Sequence, residues 1–162
     1  MRTSTKRLLA AGLLGALIGV VQLALAQSSN SEVGTWKLNV AKSKFGGGAA
    51  LKSGTLKIEA AGAGTKNTVD TVSNDGTVRH YEFTSNYDGK DNPVTGNSAN
   101  GDMIARTRIN ASTTKQVNKK NGKITVTQTI VTSSDGKTRT LTGTGTNALG
   151  QTVNNVTVWE KQ

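Results

Sequence analysis

The chain has no cysteine, a single histidine and a single proline, and only two residues each of tryptophan, tyrosine and phenylalanine. Without cysteine there are no disulfides, no thiolate metal ligands and no thiol nucleophile. The lipidated cysteine that tethers a bacterial lipoprotein is missing too. One histidine, His80, excludes a paired-histidine metal site and a two-histidine relay, and leaves haem ligation to rest on that residue alone. The few aromatics are not interleaved with the lysines as a base-stacking platform requires, which argues against nucleic acid as a partner.

What is present begins with a leader. Arg2, Lys6 and Arg7 precede an apolar run from Leu8 to Leu25, and Ala24-Leu25-Ala26 is a small-x-small cleavage pattern just before Gln27, so residues 1–26 read as a secretory signal peptide. The run approaches the ~18–20 residues of a spanning helix. Gly12, Gly15, Gly19 and Gln22 count against a permanent span, so no transmembrane segment is expected after processing. Export without disulfides fits a periplasmic or secreted bacterial protein. Setting aside the three basic residues of the leader leaves 17 against 10 acidic ones, a net charge of +7. Such a surface attracts anionic partners, among them anionic lipid and lipopolysaccharide.

Residues 27–32 read as a flexible tail and 33–162 as one domain. From Gly34 onward, Thr/Val/Ile-rich stretches alternate with turns at Asn74-Asp75-Gly76, Asp88-Gly89, Asn100-Gly101, Asn121-Gly122, Ser134-Asp135-Gly136 and Leu149-Gly150. Asn-Gly and Asp-Gly supply the φ > 0 positions of tight hairpins, so consecutive strands pair antiparallel. Ten strands are expected: Gly34 to Val40, Lys52 to Ala60, Lys66 to Ser73, Thr77 to Tyr87, Asn92 to Thr95, Asp102 to Ile109, Thr114 to Lys119, Lys123 to Thr132, Lys137 to Thr146 and Thr152 to Lys161. Ala41 to Ala50 reads as a loop, and Pro93, which cannot donate to a ladder, marks an edge or a gap. Alternation places Leu56, Ile58 and Ala60 on one face, and Ile124, Val126, Gln128 and Ile130 on another. A meander this long leaves two open edges unless it closes. The expected fold is all-β: a single antiparallel up-and-down barrel of about ten strands, with little or no helix, and a half-polar interior.

Gly34-Thr35-Trp36-Lys37-Leu38 at the first strand and Val158-Trp159-Glu160-Lys161 at the last resemble the two ends of a lipocalin-like (calycin) barrel, nearest to the fatty-acid-binding-protein type. Lys42-Ser43-Lys44-Phe45, Tyr87-Asp88-Gly89-Lys90-Asp91 and Pro93-Val94-Thr95-Gly96 resemble elements of exported bacterial lipocalin-like proteins of unassigned function. The resemblance implies a ligand-holding barrel, but the details depart from fatty-acid binders. The glycine-rich Ala41 to Ala50 is too short for their two-helix lid. Thr157 and Trp159 stand at their Arg-x-Tyr pair, and Gln128 to Val131 where they carry a second arginine.

No catalytic constellation, metal site or cofactor is expected, and the chain does not read as an enzyme. Ser112-Thr113-Thr114-Lys115 matches a Ser-x-x-Lys motif but lies in a hairpin without its partner elements. Gly143-Thr144-Gly145 lacks the helix of a dinucleotide loop, and Asp88, Asp91 and Asn92 lack calcium-loop spacing. The expected function is non-catalytic binding of a small apolar or amphipathic molecule by Trp36, Tyr81, Phe83, Gln128 and Trp159. The alternative is an envelope module with a filled barrel, acting through its basic surface, with Lys115, Lys119, Lys120 and Lys123 as the anionic-partner patch.

Overall fold

The computed structural model describes residues 31–162; the expected leader and residues 27–30 of the expected tail lie outside them. Ser31 and Glu32 are helical, and eleven strands follow them. These are β1 (Gly34–Phe45), β2 (Leu51–Ala61), β3 (Gly64–Ser73), β4 (Val78–Ser85), β5 (Asp88–Pro93), β6 (Thr95–Gly96), β7 (Met103–Arg108), β8 (Thr113–Lys120), β9 (Lys123–Thr132), β10 (Thr138–Thr146) and β11 (Thr152–Lys161). They form a single sheet in the order β5-β7-β8-β9-β10-β11-β1-β2-β3-β4-β6, and every pairing is antiparallel. The sheet curls into a nearly closed up-and-down barrel, an architecture compatible with a calycin-like fold.

First and last strands are neighbours. β1 pairs with β11 through Trp36↔Lys161, Leu38↔Trp159 and Asn39↔Val158, so the two tryptophans lie on one face, two residues apart in register. The ladder is interrupted elsewhere, between β4 and the β5–β7 pair. One strand was expected near Asn92 to Thr95; two short ones form instead, because Pro93 has no N–H to continue a ladder. β5, which ends on Pro93 opposite Met103, pairs with β7, while β6 beyond it pairs with β4 through only Tyr81↔Gly96 and Glu82↔Thr95. Side chains bridge what the backbone leaves open. The Arg106 guanidinium of β7 lies 4.6 Å from the ring centroid of Phe83 on β4, and Arg108 lies 4.0 Å from that of Tyr87.

β1 is longer than expected. Asn39 pairs with Val158 but Lys44 with Val156, so the intervening residues bulge, and Lys44 and Phe45 then rejoin the ladder. The bulge is held locally: Lys42 N donates to Asn39 Oδ1 at 3.0 Å, and Ser43 Oγ donates to the Asn39 carbonyl at 2.7 Å. The expected ten-residue loop therefore shrinks to residues 46–50.

The core contains Trp36, Leu38, Leu56, Ile58, Val69, Phe83, Ile104 and Trp159. Alternation of the kind read from the sequence accounts for Leu56 and Ile58 on β2 and for Val126 and Ile130 on β9, all buried. It fails at the strand ends, where Ala60 and Ile124 are exposed. Large side chains fit because small ones face them. A Cβ on Gly54 would stand 2.7 Å from Trp159 Cη2, so the indole occupies space that only glycine leaves.

Candidate functional site

The barrel interior is divided along its axis. At one end the loop around Gly47 and Gly48, the turn holding Asp75, and the segments at Ser98–Asn100 and Asn147–Gln151 surround the mouth of a cavity of about 190 Å³. That is below the span of drug-sized pockets and somewhat above the ~150 Å³ that accepts a benzene molecule. Its wall mixes two characters. Leu56, Val69, Phe83, Leu141 and Trp159 are apolar, while Tyr81, Arg79, Arg106, Gln116 and Gln128 are polar or charged. Burial pushes the Tyr81 hydroxyl above its ordinary range, against the opposing charges of Arg106 and Arg79, so it is a neutral group at physiological pH.

The polar wall is a connected network. Arg106 Nε donates to Gln116 Oε1 at 2.7 Å, and Arg106 Nη1 donates to Asn67 Oδ1 at 3.0 Å. Gln116 Nε2 donates in turn to Gln128 Oε1, and Asn118 Nδ2 donates to the Val126 carbonyl at 3.0 Å. These side chains converge because β8 alternates: Thr114, Gln116 and Asn118 are buried while Lys115 is exposed, and the ladder sets Gln116 opposite both Arg106 and Gln128. A Cβ on Gly143 would lie 3.1 Å from Gln128 Cγ, so this glycine leaves the amide its room.

Of the residues expected to hold a ligand, Tyr81, Phe83, Gln128 and Trp159 line this one cavity, and Trp36 does not. Trp36 is fully buried at the opposite, closed end, where its Nε1 donates to the Glu32 carbonyl at 2.9 Å. Burial there would raise the Glu32 carboxyl. The charge of Arg139, a hydrogen bond from the Tyr87 hydroxyl at 2.6 Å and the contact with Arg108 together outweigh it and hold Glu32 below the ordinary carboxylate range. Arg139, under the Trp36 ring at 5.4 Å, is buried enough to be pushed down to about 10, yet stays cationic at neutral pH. Sequence reasoning assigned Glu32 to a tail and did not single out Arg106, Arg108 or Arg139. One signal was available, namely the polar uncharged inner face of β8, which implies a polar partner on β7.

The four lysines expected to form a basic patch do not act alone. Lys119 pairs with Asp91 at 2.8 Å and Lys120 with Asp102 at 3.1 Å, leaving Lys115 and Lys123 exposed. Outside the barrel, His80 Nδ1 lies 2.7 Å from Asp70 Oδ1, both largely exposed. Among the described residues no group of three His, Asp or Glu side chains is placed to hold a metal ion, and no helix is long and apolar enough to cross a membrane. In comparisons with known proteins, no family model, no curated protein and no solved structure matches the chain significantly.

Proposed function

We propose that the chain is an exported, non-catalytic binding protein of calycin-like type that holds one small amphipathic molecule in its barrel. The supporting observation is the cavity itself. It opens at one end, it is lined by Tyr81, Phe83, Gln128 and Trp159, and polar and apolar groups share its wall. A barrel of this strand number has room inside for one small ligand, and hydrogen-bonding groups set among apolar walls fix a ligand's orientation. The leader read from residues 1–26 supports a periplasmic or secreted location.

The test is native mass spectrometry of the mature protein purified from its own host, followed by organic extraction and identification of the adduct. A stoichiometric small-molecule adduct, with Trp159 fluorescence changing as it is removed, is the expected result. Protein that carries no adduct, and whose fluorescence responds to no amphiphile, would favour a barrel that acts through its outer surface.

A further inference from the structure

The closed end of the barrel gathers more positive charge than its one carboxylate cancels. All ten acidic side chains of the chain lie among the described residues, and Glu32 is the only one that is buried. Both of its oxygens are engaged: Oε1 accepts from Arg108, and Oε2 accepts from the Tyr87 hydroxyl at 2.6 Å. Arg139, which is 1% exposed, stands with Nη2 3.7 Å from Glu32 Oε2, longer than a hydrogen bond. A third cation is close, since Lys161 Nζ and the Arg139 guanidinium each lie 5.4 Å from the Trp36 ring centroid.

Arg139 is short of acceptors as well as of counter-charge. Its Nε and Nη1 are buried and have no hydrogen-bond partner among the described residues. The Trp36 face orients the cation without cancelling its charge. A buried ionised donor left without an acceptor is costly, and where a native fold contains one, a water or an ion ordinarily satisfies it. Thr132, opposite Arg139 on β9 and also buried, brings a hydroxyl donor to the same place. A water molecule would satisfy these donors and leave the charge. Arg108, Arg139 and Lys161 set three positive charges against the single negative one of Glu32, and an interior of low dielectric favours an anion there. The occupant is small, because Arg139 does not line the cavity and the fully buried Trp36 packs against it.

We propose that the closed end binds one small inorganic anion of the halide class, which accepts from Arg139 at Nε or Nη1 with the Thr132 hydroxyl as a second donor. The site is separate from the cavity and does not depend on what the cavity carries. Bound only by the closed barrel, the ion stabilises the folded chain by mass action.

The experiment measures denaturant unfolding of the mature protein while chloride replaces gluconate, an anion too large for the closed end, at constant ionic strength. Above the dissociation constant, each tenfold rise in chloride should raise the folding equilibrium constant by up to tenfold. Arg139→Met should abolish that dependence, whereas Lys115→Gln, which removes an exposed lysine, should keep it. Wild-type crystals soaked in bromide give a second readout that needs no variant to fold: an anomalous peak within about 3.5 Å of Arg139 Nε or Nη1. An equilibrium constant that does not respond to chloride overturns the proposal. So does bromide confined to surface lysines with a water on Arg139, and so does a folded Arg139→Met that keeps the full chloride dependence.

Discussion

The two ends of the barrel interior use the same side chain in opposite ways. At the closed end, Arg108 and Arg139 surround Glu32, Tyr87 adds a hydrogen bond, and Trp36 fills the remaining space. On the cavity side, Arg106 is as buried as its neighbours but is held by amides and a phenyl ring. At the closed end two cations share one carboxylate, and removing that carboxylate would leave unpaired charge in a low-dielectric interior. An uncompensated cation costs the fold free energy and keeps its attraction for whatever enters. The difference separates an ion-paired cluster from a cavity wall within one sheet.

The largest expected effect tests the closed end. Trp36→Ala should cost about 3–5 kcal/mol in denaturant melts, because a fully buried indole is replaced by a void. Trp159→Ala combined with it should lose less than the sum of the two, since both side chains belong to one packed cluster. Strictly additive losses would show that the two indoles do not share a packing unit.

Glu32→Gln should follow closely, at about 3 kcal/mol near neutral pH, by stranding Arg108 and Arg139 without a counter-charge. Its pH dependence is specific. The folded-state pKa of Glu32 lies below the ordinary value of 4.5, so its contribution is fully present above that value and is lost as pH falls through the lower, folded one. The gap between wild type and Glu32→Gln should therefore be constant from pH 7 to about 5 and narrow in stronger acid. A gap independent of pH down to acid unfolding would mean that the carboxylate charge is not what holds this end.

A smaller effect is expected of Gly54→Ala, about 1–3 kcal/mol, because its methyl group would press on Trp159. Since Trp159 lines the cavity, the substitution should also shift its emission, and an unchanged spectrum would place the strain elsewhere. The smallest stability change belongs to Arg106→Met, on the order of 1 kcal/mol, because the freed acceptors of Gln116 and Asn67 offset the relief of an unpaired charge. A loss as large as that of Glu32→Gln would erase the distinction between the two ends.

Much of the barrel was legible in the sequence because its signals are local. Asn-Gly and Asp-Gly turns mark their own hairpins, and Leu56/Ile58 and Val126/Ile130 show their face by alternation alone. The pairing of the first strand with the last follows from closing a meander into a ring, and Pro93 marked the weak strand. The bulge after Asn39 was not legible, since it depends on side-chain bonds to the backbone within a stretch that otherwise reads as loop. The charged interior was hidden for a different reason. Glu32 lies 76 residues from Arg108 in sequence, and only the closed barrel brings them together. Tyr81, Phe83, Gln128 and Trp159 were legible by alternation and end position, whereas Arg106 was passed over because arginine ordinarily marks an outer face.

The ladder's interruption between β4 and the β5–β7 pair does not coincide with the first and last strands, β1 and β11, which pair with each other. The covalent order of the strands and the hydrogen-bonded order of the ring therefore start at different points on the circumference. A rewired gene that links residue 162 to residue 31 by a short spacer and begins at Asp88, just past the Ser85 end of β4, would move the covalent break onto the ladder's own break. Such a circular permutant keeps every long strand pairing and cuts only the link between Tyr87 and Asp88. Its new ends would lie beside Arg108 and Tyr87 at the closed end, leaving the mouth of the cavity clear for a reporter domain fused at either one.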